Sequence, residues 1–131
     1  MTSMKFLNIK NGNFVYFNNV IGPMIDCQLT IAGKRFLKWG PSGLEGEQLC
    51  LNESQIPQGW TLAYDLDLAV GDEVYRLTIS HGVIVKGLKP YLSELALRQE
   101  TLKTVVTRLT VVTNNRFSFP TFEVADQGSI F

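Results

Sequence analysis

Apolar and polar residues keep mostly to a period of two along this chain, and the period changes once. Phe14-Val15-Tyr16-Phe17 follows an Asn-Gly-Asn turn signal and precedes Asn18-Asn19, which predicts a short strand of bulky β-formers. Over 24–31, Cys27, Leu29 and Ile31 alternate with Gln28 and Thr30, the pattern of a half-buried strand. Ala32-Gly33-Lys34 reads as a turn into a partner strand over 35–39, so these two runs are expected to form a hairpin. Residues 40–59 are rich in Gly, Pro and Glu and predict a long loop with one short strand at 48–51, a contact region or a solvated acidic excursion. The strand pattern resumes over 60–67, with Leu62, Tyr64, Leu66 and Leu68 on one side, and Gly71-Asp72 makes the next turn. Runs at 74–80 and 83–86 flank His81-Gly82 and predict a second hairpin, central to the sheet.

The change of period comes at Leu88, Tyr91, Leu92, Leu95 and Ala96. Their spacing predicts an amphipathic helix over 89–100, with Pro90 in the first turn where its missing N–H costs nothing. Runs at 103–113 and 116–124 then alternate about Asn114-Asn115 as a closing hairpin, and Pro120 places the last strand at an edge or a bulge. Strands, one helix and a final hairpin predict a mainly β fold with one short helix, either a small barrel of the oligonucleotide-binding (OB) type or an α+β arrangement.

At 131 residues, 45% hydrophobic and 18% charged, the chain is expected to be a single domain over 1–131 with flexible termini at about 1–10 and 125–131. It contains neither an apolar run of membrane-spanning length nor the segments of a secretory signal, so the expected compartment is the cytoplasm, and no membrane partner is expected. Met4 serves as well as Met1 for an initiator. Cys27 and Cys50 fit no zinc or redox spacing and read as buried free thiols. Charge is distributed unevenly. Residues 1–38 carry net +4, residues 39–75 net −7 without a Lys or Arg, and residues 76–131 net +3, although the whole sums to zero. Strands from the two basic parts would form a basic groove if they share a face, and the charges would otherwise scatter over the surface.

Catalytic chemistry finds little footing, and neither an enzyme nor a cofactor is expected. Gly40-Pro-Ser-Gly-Leu-Glu-Gly-Glu lacks the Gly-Lys-Ser/Thr ending of a nucleotide-phosphate loop. Asp65 and Asp67 share a strand face and read as solvated edge charges ahead of a shared cation or proton. His81 has no ligand-type neighbours at metal spacing and reads as a turn residue. Binding chemistry is better represented. Lys34, Arg35, Phe36, Lys38 and Trp39 place three cations and two aromatics in six residues, with Lys34, Phe36 and Lys38 on one strand face and Arg35, Leu37 and Trp39 on the other. A face of cations and rings suits single-stranded nucleic acid, since each base stacks on a ring at about 1–3 kcal/mol while phosphates meet Lys or Arg. The competing expectation is that Phe36 and Trp39 are core residues. Arg76, Lys86 and Arg108 are further candidates on or beside the sheet, and Tyr16, Phe17, Tyr75 and Phe117 are further stacking surfaces.

The strand-helix-hairpin order, the Leu29-Thr-Ile-Ala-Gly-Lys-Arg-Phe36 segment and the tail together resemble the small OB-barrel proteins that phages and plasmids use around single-stranded DNA. The tail, with Glu123, Asp126, Ile130 and Phe131, is similar to that of bacterial single-strand-binding proteins, which partners capture. The resemblance implies non-catalytic coating of single strands through cations and aromatics, and Ile130 and Phe131 as partner-binding residues. Beside it stands a second expectation, a structural or assembly subunit of a virion or other complex. Its support is aromatics at 11%, few charges, and basic and acidic segments that could match between copies of a homo-oligomer.

Overall fold

Strand β5 (Met24–Gly40) organises the molecule: at 17 residues it is long enough to carry three neighbours. A computed structural model describes residues 4–125. Before β5 come β1 (Lys5–Phe6), β2 (Asn8–Lys10), β3 (Asn13–Tyr16) and β4 (Asn19–Gly22); after it come β6 (Gly43–Leu49), β7 (Thr61–Val70), β8 (Glu73–Ser80), β9 (Thr107–Asn114) and β10 (Phe117–Val124). The larger sheet runs β1-β8-β7-β5-β9-β10, with β6 also on β5; β2-β3-β4 form a second sheet. Along one edge β5 pairs with β7, and along the other it pairs first with β9 at Met24–Cys27 and then with β6 at Arg35–Gly40.

Residues 24–40 are thus one strand, not a hairpin turning at Ala32-Gly33-Lys34. The pairing with β7 explains the false turn. Leu29 opposes Leu68 and Ile31 opposes Leu66, but beyond a one-residue shift Lys34 opposes Tyr64 and Phe36 opposes Leu62. Ala32 is the extra residue of a bulge, so odd positions face the core before it and even positions after it. The expected loop over 40–59 is also partly regular. Residues Gly43–Leu49 pair back onto β5, and Glu53–Gln55 form a 3₁₀ turn capped by Asn52, whose side chain accepts from the Ser54 N–H at 3.0 Å.

A second correction concerns His81. No hairpin follows β8; a single helix α1 (81–97) starts there, with α-helical His81–Val83, a π turn Ile84–Leu88 and α-helical Lys89–Leu97. Its buried stripe is Ile84, Leu88, Tyr91 and Leu95, which packs onto the inner sheet face made by Leu29, Leu62, Tyr64, Leu66, Leu77, Ile79 and Leu109. The β-branched run Val83-Ile84-Val85 imitates a strand, but Ile84 extends the helical spacing one turn back from Leu88, and burying it completely outweighs the propensity of its neighbours. Deep in this layer the Tyr91 and Thr107 hydroxyls hydrogen-bond at 2.8 Å.

Residues 5–10, expected to be a flexible terminus, are also strands: β1 runs parallel to β8, and the Leu7 N–H donates to the Arg76 carbonyl at 2.8 Å. The closing hairpin forms, but its first strand starts at Thr107 instead of 103 and its two-residue turn is Asn115-Arg116, one residue later than expected, with Asn115 at φ +59°. Pro120 opposes Val111, whose N–H donates away from β10 to the Pro23 carbonyl. The nitrogen of Pro120 therefore points outward from an edge strand, where no ladder bond is lost. Phe17 is less comfortable. It holds φ +55° at the β3–β4 turn, a conformation that costs an ordinary L-residue roughly 1–2 kcal/mol.

The chain is therefore mainly β with one helix. Its larger sheet has two ends and is not closed into a barrel, so the OB-type barrel is not confirmed.

Candidate interaction surface

Alternation along β5 puts Arg35, Leu37 and Trp39 on the outer face of the larger sheet, away from α1. Neighbouring strands add Glu47, Leu44 and Leu49 from β6, Asp65 and Asp67 from β7, Thr78 and Arg76 from β8, and Phe6 from β1. The charged part of this face is internally matched. Arg35 donates to both Asp65 oxygens, at 2.9 and 2.8 Å, and lies 3.5 Å from Glu47; Thr78 donates to Asp65 at 2.7 Å. Arg76 donates to both Asp67 oxygens at 2.8 and 3.2 Å. Burial pushes the Asp65 carboxyl up, but the hydrogen bonds from Arg35 and Thr78 outweigh it and hold it below the usual range. Two guanidiniums thus face three carboxylates, and a phosphate approaching this patch would have to displace a bidentate partner.

The remainder of the face is apolar. Trp39 opposes Leu44 across the β5–β6 ladder, and the β7 pairing has already ended at Leu37–Thr61, so this pair stands on a two-stranded extension of the sheet. Trp39 is 58% exposed and Leu49, on the same face, 67%; Leu44 is exposed as well. Trp39 and Leu44, at the end of this projecting hairpin, are what a protein partner covers, and Leu49 lies further back on the same face, opposite Arg35.

Among the other expected nucleic-acid residues, Arg108 shares the outer face, opposite Asp26, and the rest lie elsewhere. Lys34 and Phe36 face the core side, and Phe36 is buried there, fulfilling the competing expectation for that ring. Lys34 lies 4.9 Å from the Tyr64 ring centroid and donates to Glu53 at 2.9 Å. Glu53 also accepts from the Tyr64 hydroxyl at 2.6 Å and from Lys89 at 3.1 Å. The Tyr64 and Lys34 hydrogen bonds bring its carboxyl down to about 2. Arg108 donates to both oxygens of Asp26, at 2.8 and 3.0 Å. Lys38 is exposed near the hairpin tip and Lys86 on α1. Of the eight candidates, the fold puts Arg35, Trp39, Arg76 and Arg108 on the outer face. Ile130 and Phe131 lie outside the described residues. Sequence reasoning missed Leu44, Leu49 and Phe6 as members of the face, and Glu53 as the group that holds Lys34.

The chain matches no family model, no curated protein and no solved structure. Cys27 and Cys50 are both buried free thiols, and burial pushes the Cys27 thiol up to about 12. His81 is exposed at the start of α1 instead of sitting in a hairpin turn. No three His, Cys, Asp or Glu side chains gather as a metal site among the described residues, and no helix there is long and apolar enough to cross a membrane.

Proposed function

We propose that this chain is a non-catalytic assembly subunit that binds protein through the outer face of the β5–β6 hairpin. The observation that carries this reading is the division of that face: Trp39, Leu44 and Leu49 are exposed together, while Arg35 and Arg76 beside them are already matched to carboxylates. Contacts of this kind draw on apolar burial and tolerate salt. Sedimentation over a wide concentration range at low and high salt tests it. Association that persists at high salt and weakens in Trp39→Ser/Leu44→Ser is the expected outcome; association unchanged in that variant would sink it.

A second reading, binding of single-stranded nucleic acid on an OB-like sheet face, draws on one observation: Arg35, Arg76, Trp39 and Phe6 share the outer face. It requires the arginines to exchange Asp65 and Asp67 for phosphates. Anisotropy of a labelled oligothymidine decides between the two. Affinity that falls steeply with salt and with Arg35→Ala would replace the assembly reading.

A further inference from the structure

Phe17 takes the first position of a two-residue turn with a left-handed backbone, a position that Asn11, Gly71 and Asn115 fill in three other hairpins of this chain. Asparagine and glycine tolerate the conformation and phenylalanine does not. The strained backbone holds an aromatic ring 79% exposed, supported only along one side by Tyr16 at 4.6 Å between ring centroids. Val20 and Ile21, just beyond the turn, are exposed too, and no charged residue occurs between Lys10 and Asp26. Strain kept at an exposed apolar tip points to an apolar partner. Lys5, whose ammonium lies 5.3 Å from the Tyr16 ring centroid, is already paired with Glu73 at 2.8 Å, so a phosphate at the tip would have to displace a carboxylate.

A surface of matching character lies on the same chain. Between α1 and β10 runs a groove of about 540 Å³ walled by Val83, Gly87, Phe119 and Pro120, with Phe117 on its rim, 75% exposed. It continues into a recess of about 300 Å³ over Ile9, Leu77 and Ile79. Gly82 on its wall has open space where a side chain would stand. The groove's cation, Lys86, is exposed, so an uncharged tip fills the apolar part without burying a charge.

We propose that the β3–β4 tip of one copy seats Phe17 in the α1–β10 groove of the next. Tip and groove are different patches, so the contact is head-to-tail, and each added copy brings a fresh tip and a fresh groove. Neither strand of the β5–β6 hairpin takes part, so this contact stands or falls separately from the one proposed above.

Sedimentation tests it in the Trp39→Ser/Leu44→Ser background, which removes the hairpin contact, with that background and two further variants made in it run alone and mixed. Phe17→Gly removes the ring and relaxes the turn; the expected result is a Tm equal to that of the background or higher by roughly 2–6 °C, together with loss of association. Gly82→Phe fills the groove and is expected to abolish association as well. An equimolar mixture of the two variants should form a heterodimer and nothing larger, because only one intact tip and one intact groove remain to meet. A background protein monomeric at every concentration, a mixture that stays monomeric, or variants that associate like the background would each overturn the proposal. Flotation with neutral phosphatidylcholine vesicles runs alongside: a background protein that floats yet remains monomeric would assign the tip to a lipid surface instead.

Discussion

Glu53 gathers donors from three elements: Lys34 of β5, Tyr64 of β7 and Lys89 of α1. No other described carboxylate ties the helix to the sheet in this way, and its own 3₁₀ turn carries little else that is buried. Replacing it with Gln keeps the shape but removes the charge that all three donors share. With Glu53 partly exposed, Glu53→Gln is expected to cost about 1–2 kcal/mol, read as a lower urea midpoint at neutral pH. The pH dependence has a definite sign. The folded carboxyl titrates at about 2 against an ordinary 4.5, so its contribution is complete above about pH 4.5 and is lost as pH falls toward 2. Asp26, bonded by Arg108, and Asp65, bonded by Arg35, are lowered as well and act in the same direction. Thermal melts from pH 7 to pH 2 should show stability falling below about pH 4.5, and a shallower fall in Glu53→Gln.

At the scale of elements, the bulge at Ala32 keeps both halves of β5 in phase with β7. Leu62, Tyr64, Leu66 and Leu68 alternate without a break on β7, so the extra residue lies on β5 alone: without Ala32, Ile31 opposite Leu66 and Gly33 opposite Asp65 would be successive rungs of a regular ladder. Deletion of Ala32 is therefore expected to keep both halves in register and to leave near-ultraviolet circular dichroism unchanged; a collapsed signal would show that the local twist of the bulge is itself required. The same bulge marks the limit of what the chain reveals when read in order. Alternation through Cys27, Leu29 and Ile31 and through Leu62, Tyr64, Leu66 and Leu68 was legible, as were the turn at Gly71-Asp72 and, to within one residue, the one expected at Asn114-Asn115. The break of phase at Ala32-Gly33-Lys34 looks the same for a turn and a bulge until the opposing strand is known. Val83-Ile84-Val85 hid the start of α1 for a related reason: its β-branched residues follow local preference, and only the packed core shows Ile84 continuing the helical stripe. The candidate surface divides in the same manner. That Arg35, Leu37 and Trp39 share a face follows from alternation alone. That Asp65, Asp67 and Glu47 neutralise that face does not, because the carboxylates arrive from other strands.

For the whole molecule, the uneven charge of the sequence is largely resolved by folding. The acidic middle supplies Glu47, Glu53, Asp65, Asp67 and Glu73 as partners to Arg35, Lys34, Arg76 and Lys5 from the flanking segments. A basic groove opposite an acidic region is therefore not what these pairs build. Beside lone charges such as Lys38 and Lys86, the surface keeps apolar areas uncovered: the end of the β5–β6 hairpin, the Phe17 tip and the rim at Phe117. A chain of zero net charge with several such areas has little electrostatic protection against uncontrolled aggregation.

The outward-facing nitrogen of Pro120 acquires its meaning in that setting. An edge strand offering an unbroken row of donors would template further strands, and fibres would grow from the end of β10. With no hydrogen to give at its centre, β10 interrupts that template. Pro120→Val restores the missing donor without altering the β9 ladder, and it is expected to leave the fold intact while hastening thioflavin-positive fibril formation during prolonged incubation. A variant as slow to fibrillate as the wild type would place the safeguard elsewhere on that edge.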